Sequence, residues 1–236
     1  MPRAHAIIFD VDDTLYDLAA PYRRAFAEIF ADRPDLDVDE LFKLSRVKSD
    51  EAFELLSAGK ITSEDHVVYR VQATYAAFGV EVSRPQALAF QAAYARAQEE
   101  LTLPPETADL LDACVASGLP LGVISNGASD HQREKMRSLG VMRWVSEEHV
   151  VISGDIGMPK PEPALYAEME RRLGVSGAGV WYVGDTYETD VVGAKRAGWS
   201  CIWLDRRGRP VPDVPEQPDL TVTSVDALCA AVKALL

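Results

Sequence analysis

Three carboxylates stand within four positions, Asp10, Asp12 and Asp13, directly after the apolar run Ala6-Ile7-Ile8-Phe9. A buried strand that ends in an anionic turn suits the carboxyl edge of an open α/β sheet, where reactive groups collect. Asp10 and Asp12, two residues apart at such an end, can lean toward the same side. A solvated acidic turn is the competing reading of a lone D-x-D. Three further stretches carry groups that could do chemistry. Ser125-Asn126-Gly127 closes the run Leu121-Gly122-Val123-Ile124 and offers a hydroxyl, an amide and backbone N–H groups to an anion. Lys160 lies between Pro159 and Pro161, which stiffen a backbone that a solvated lysine would not need held. Gly184-Asp185-Thr186-Tyr187-Glu188-Thr189-Asp190 follows the apolar run Val180-Trp181-Tyr182-Val183. Its acids could instead simply complement a helix N-terminus.

If Asp10, Asp12, Asp13, Asp185 and Asp190 converge, their charge dictates the chemistry. Two unit charges roughly 4 Å apart repel by about 4 kcal/mol at an effective dielectric near 20. One lysine cannot offset that many acids. A hard divalent cation can, and Mg²⁺ takes a couple of carboxylates, keeps several waters and grips a substrate phosphate.

The elements around these groups alternate as a parallel sheet requires. After the first strand, helices are expected at 106–117, 130–139, 163–173, 188–197 and 224–235, and strands at 120–125, 150–152, 180–183, 200–204 and 220–222. The Pro-rich stretch 209–218 reads as an ordered crossover. The expected class is α/β, a doubly wound, Rossmann-like parallel sheet. Each of the four stretches falls at the carboxyl end of a strand or in the loop after it, so the sheet would bring them to one edge. Between the first and second stretches the pattern is wholly helical, with amphipathic segments at 19–30, 37–56, 62–78 and 84–99 broken at Gly59, Gly79 and Pro85, and with Ser63 as a candidate N-cap. The expected division is a core of 1–16 and 101–236 and a small helical lobe of 17–100.

With 24 Lys+Arg against 37 Asp+Glu, the net charge of -13 argues against a nucleic-acid polymer or an anionic membrane as partner. No apolar run approaches the roughly 20 residues that span a bilayer, and the chain enters its first strand without a leader. Cys114, Cys201 and Cys229 lack C-x-x-C spacing and read as reduced thiols, consistent with a cytoplasmic protein.

The set D-x-D, S-N-G, K-P and G-D-x-x-x-x-D, in that order, resembles the haloacid dehalogenase-like hydrolase superfamily, and its phosphatase branch in particular. The helical block resembles the cap that these enzymes carry between their first and second motifs. The resemblance implies Asp10 as nucleophile and Mg²⁺ ligand, Asp12 as general acid/base with its backbone carbonyl on the metal, and Asp185 as a further ligand. Asp190 would bind through water or orient Lys160. Thr14, Ser125 and the N–H groups of Asn126 and Gly127 would hold the phosphoryl group, and Lys160 would neutralise charge on it and on the nucleophile. In that mechanism Asp10 forms an aspartyl-phosphate while Asp12, protonated through a raised pKa, donates to the leaving alcohol and then activates water. Asp13 stands where the commonest form has Gly and is taken as structural. True dehalogenases lack a carboxylate at the position of Asp12, because cleaving a carbon–halogen bond requires no protonated leaving oxygen.

The expectation is a Mg²⁺-dependent phosphomonoesterase acting on a small phosphorylated metabolite such as a nucleotide, a sugar phosphate or a phosphoglycolate-like ester. A 2-haloacid dehalogenase and a phosphomutase are enzymatic alternatives. A receiver-like phospho-acceptor module is the non-enzymatic one, although receivers are about half this length. Substrate choice is assigned to the helical lobe, where Arg46, Lys48 and Arg70 could reach a second anionic group or simply face solvent.

Overall fold

Continuous apolar runs, rather than alternating ones, mark strands covered on both faces. The computed structural model describes residues 4–177 and 179–236; residues 1–3, which open the expected core segment, and 178 lie outside the described residues. Among the described residues, β1 (Ala6–Phe9), β2 (Leu121–Ser125), β3 (Val150–Ile152), β4 (Val180–Gly184), β5 (Ser200–Leu204) and β6 (Leu220–Val222) form one parallel sheet in the order β3-β2-β1-β4-β5-β6. Every residue of β1, β2 and β4 is buried. Chain order runs outward from β1 through β2 to β3, and outward again from β4 through β5 to β6. The order therefore reverses between β1 and β4, and in such sheets the crevice beyond the carboxyl ends at that reversal is where ligands bind.

The chain folds as two compact units, Met1–Asp17 with Thr102–Leu236, and Leu18–Leu101. In the first, α5 (Pro105–Ala116), α6 (Ser129–Ser138), the single turn α7 (Ser153–Ile156), α8 (Pro163–Leu173), α9 (Val192–Arg196) and α10 (Val225–Lys233) alternate with the strands. Ile8, Tyr166, Met169, Tyr182, Trp199 and Trp203 belong to one buried cluster on the sheet. The three cysteines are free thiols.

The second unit contains α1 (Ala20–Ile29), α2 (Val38–Ser57), α3 (Ser63–Ala76) and α4 (Arg84–Glu99). An aromatic core of Tyr22, Phe30, Tyr75, Phe90 and Tyr94 holds them, with the Tyr22 and Phe90 rings edge-on at 5.0 Å. Thr62, not Ser63, caps α3: its hydroxyl accepts the Asp65 N–H while the Asp65 carboxylate faces the Thr62 backbone, a complete capping box. Lys48 is paired with Glu51 at 2.8 Å, Arg46 is exposed, and Arg70 is half-buried, donating to Gln91 and lying over the Tyr94 ring at 5.6 Å.

The helix expected at 188–197 differs. It opens as a wide π turn, Tyr187–Val191, before α9. Asp190 explains this: its carboxylate turns back to accept the Thr186 N–H at 2.9 Å and lies where a Cβ on Gly184 would stand. An extra residue in the turn puts that side chain over the strand end. Among the described residues no helix is long and apolar enough to cross a membrane.

Candidate active site

The sheet ladder runs one residue past β1, since the Asp10 N–H donates to the Val183 carbonyl at 2.9 Å. That bond fixes the backbone from which the Asp10 side chain leaves the sheet. Phe9 is in register with both Val123 and Val183, so the ends of β2 and β4, with Ser125 and Asp185, emerge at the same edge as Asp10.

Lys160 joins them from the loop before α8. Its Nζ lies 2.7 Å from Asp10 Oδ1, 2.6 Å from Asp190 Oδ1 and 3.1 Å from the Tyr182 hydroxyl. Asp10 and Lys160 are each 5% exposed and Asp190 is fully buried. The proline frame is supplemented by Asn126, whose Oδ1 accepts the Lys160 N–H at 2.7 Å and whose Nδ2 donates to the Lys160 carbonyl at 3.3 Å. The Asn126 side chain therefore seats the lysine, a task its place beside Ser125 did not disclose.

One carboxylate oxygen each from Asp10, Asp185 and Asp190 falls within 4.8 Å of the others. Burial, then Asp190, Asp185 and Asp12, push the Asp10 carboxyl up to about 8 against the pull of Lys160. Burial and Asp190 push Asp185 up to about 7, against Arg209. Burial works against the Lys160 ammonium, but Asp10 and Asp190 outweigh it and its pKa rises. Three buried carboxylates thus face one ammonium and, at Asp185, the Arg209 guanidinium, a donor set of hard oxygens that still carries one acid in excess, and a divalent cation fits it.

The raised carboxyls set a pH dependence. With carboxyls raised to about 8 at Asp10 and about 7 at Asp185, the metal-free folded protein keeps protons that the unfolded chain gives up near pH 4, so stability falls as pH rises through that window. In chelator, the melting temperature is expected to drop between pH 5 and pH 8.5, and added Mg²⁺ to raise it most at the alkaline end. A melting temperature in chelator that is flat over this range would contradict the clustering.

Asp12 is placed differently from its neighbours. Its carboxylate accepts from the Tyr16 hydroxyl at 2.5 Å, from Gln132 Nε2 at 3.1 Å and from Lys135 Nζ at 2.7 Å to each oxygen. Burial opposes its charge, but Lys135, Tyr16 and Gln132 outweigh burial and hold its pKa below the ordinary value. This corrects the expectation of a raised pKa. That expectation came with the mechanism the resemblance implies, and what reverses it in the free protein includes a lysine 123 residues away in sequence.

The phosphoryl-binding candidates are distributed as follows. The Ser125 hydroxyl is buried and has no hydrogen-bond partner among the described residues. Thr14 Oγ1 donates to Asp10 Oδ2 at 3.3 Å. Gly127, at φ +148°, donates its N–H to Ser153 Oγ at 2.9 Å.

Sequence reasoning missed an arginine cluster after β5. Arg207 grips both Asp13 oxygens, at 2.9 and 2.6 Å, and Asp17 at 2.6 Å. Arg206 donates to the carbonyls of Asp13 and Thr14, and Arg209 to the carboxylate and carbonyl of Asp185. Asp13 sits at φ +61°, a left-handed conformation that Asp tolerates better than most residues, and Arg207 gives its side chain a partner there. The available signal was Arg206-Arg207-Gly208-Arg209 directly after a strand end, at the edge where the other groups collect.

A doubly wound parallel sheet here gathers a buried Asp–Lys pair and a tri-aspartate cluster at its reversal point, a core built to handle a cation and an anionic group at that edge. The model of the haloacid dehalogenase-like hydrolases matches residues 4–198, and the chain belongs to that family. It is 32% identical over 228 residues to the glyceraldehyde 3-phosphate phosphatase of Methanothermobacter thermautotrophicus, covering 94% of this chain and 95% of that one. It is 37% identical over 130 residues to the phosphoserine phosphatase of Thermus thermophilus, a match spanning 55% of this chain and 51% of that protein. The L-2-haloacid dehalogenase of Xanthobacter autotrophicus shares the fold, with a TM-score of 0.64, 23% identity and coverage of 99% and 100% of the two chains.

Proposed function

We propose that the chain is a Mg²⁺-dependent phosphomonoesterase of a small phosphorylated metabolite, with Asp10 as the nucleophile and residues 18–101 as a substrate-selecting cap. The observation that carries the reading is Asp12, a carboxylate two positions after Asp10 and held by three side chains. A departing halide needs no proton, whereas a departing alkoxide does. Both phosphatase relatives act on small phosphorylated molecules by name, and their substrates are candidates here.

In the first step Asp10, once it has lost the proton that its raised carboxyl holds in the metal-free protein, attacks phosphorus as the carboxylate, the ester P–O bond breaks, and the leaving oxygen takes a proton from Asp12. The free enzyme holds Asp12 as the carboxylate, so this step requires it to take up a proton. The incoming phosphoryl anion, a like charge beside it, favours that uptake. In the second step Asp12 takes a proton from water, which attacks the phosphorus and releases Asp10. Lys160, fixed between Asp10 and Asp190, stabilises charge on the transferring group, and the unpartnered Ser125 hydroxyl can donate to a phosphoryl oxygen. Asp10, Asp185, the Asp12 carbonyl and Asp190, directly or through water, would hold the Mg²⁺. Bound there, it would offset the negative charge that otherwise repels a phosphate.

The test is phosphate release from glyceraldehyde 3-phosphate, phosphoserine, phosphoglycolate, nucleoside monophosphates and sugar phosphates, with Mg²⁺ and with chelator. Release that stops in chelator is expected. Halide release from 2-haloacids without phosphate release from any ester would instead select the dehalogenase.

A further inference from the structure

The residues that hold Asp12 lie outside all four motifs. Helix α6 starts two residues after Gly127, and Gln132 and Lys135, three apart, share one of its faces. Both reach the same carboxylate: Gln132 Nε2 meets Oδ2 at 3.1 Å, and Lys135 Nζ meets both oxygens at 2.7 Å. The Tyr16 hydroxyl closes the set on Oδ1 at 2.5 Å. Four donor contacts on two oxygens leave the carboxylate one orientation. The cradle is itself anchored, because Gln132 Nε2 also donates to the Asn126 carbonyl at 2.9 Å, and a Cβ on Gly127 would run into the Gln132 side chain. With its side chain only 10% exposed, Lys135 is not a solvated lysine that happens to pass by.

We propose that Lys135, assisted by Gln132 and Tyr16, is a positioning residue for phosphoryl transfer, fixing the Asp12 carboxylate where it meets the leaving oxygen. The inference rests on the phosphomonoesterase reading. Without Lys135 the carboxylate loses one contact on each oxygen and keeps only Tyr16 and Gln132, so its orientation loosens; although losing the cation also eases its protonation, the cost falls on chemistry that needs a proton delivered at a fixed place. An alkyl ester needs that proton; p-nitrophenyl phosphate, whose phenolate leaves unaided, does not.

The experiment compares kcat/KM, which reports steps up to formation of the covalent intermediate, for p-nitrophenyl phosphate and for the best alkyl phosphate of the panel above. Lys135→Met is expected to lower the alkyl value by about 10²-fold, the scale of general acid catalysis, and the aryl value by less than about threefold. Lys135→Arg, which can still grip a carboxylate, should recover most of the alkyl loss. Gln132→Met, which removes one neutral donor and no charge, should show the same discrimination at smaller size and serves if Lys135→Met does not fold. Equal losses on the two esters would mark general structural damage and overturn the proposal, as would no loss on either. A parent enzyme silent on both esters would overturn the phosphatase reading and this inference together, which the parent control distinguishes from a failure of Lys135 alone.

Discussion

Asp10→Asn is expected to remove turnover by roughly 10⁵-fold or more, the loss seen when a covalent nucleophile is deleted, while leaving the fold intact. The asparagine oxygen can still accept from Lys160, its NH2 can donate to the Thr14 hydroxyl in place of the bond that Thr14 gave Oδ2, and the backbone bond to Val183 is untouched. What disappears is a carboxylate able to attack phosphorus. One acid fewer in the cluster also relieves repulsion on Asp185 and Asp190, so in chelator at pH 8 the variant should melt no lower than its parent. Steady-state rates and thermal melts read both effects. Activity within tenfold of the parent would end the nucleophile assignment.

Lys160→Met is expected to damage both stability and rate. It strips the cation from two buried carboxylates, Asp10 and Asp190, whose side chains are 6% and 1% exposed. Breaking a buried pair from one side costs about 3–5 kcal/mol, measurable as a shift in the urea midpoint. In the protein that remains folded, losing a fixed positive charge beside the transferring group should lower kcat by about 10³-fold. Lys160→Arg should not rescue it, because a planar guanidinium does not fit a slot in which one nitrogen meets Asp10, Asp190 and Tyr182 at once. A variant as stable and as active as its parent would show that the lysine is not the counter-ion of the site.

The sheet was legible because its strands are short apolar runs separated by helical periodicity, and the observed strand order brings their carboxyl ends together. Asp10, Lys160, Asp185 and Asp190 could be picked out only as a set, because the stretches that carry them each follow an expected strand and a parallel sheet gathers those ends at one edge. What pattern could not supply was the pairing of groups distant in sequence. Lys135 looks like any surface lysine on a polar helix until α6 is laid beside the first strand end. Asn126 looked like a ligand donor, yet its side chain is spent on Lys160. The π turn before α9 was hidden for a similar reason: it follows from where the Asp190 carboxylate must lie against Gly184 and Thr186. Arg207 explains why an aspartate is accommodated at position 13, but only once the loop after β5 is placed over the turn that follows β1.

The most direct test of the central claim is to find the phosphoryl group on the enzyme. Protein mixed with the best phosphate ester and Mg²⁺ is quenched in acid within one turnover, reduced with borohydride, which converts an acyl phosphate to the alcohol, and digested for mass spectrometry. Homoserine at position 10, absent without substrate and absent in Asp10→Asn, is the predicted result. Rapid ester hydrolysis with Asp10 recovered only as aspartate would contradict the covalent route.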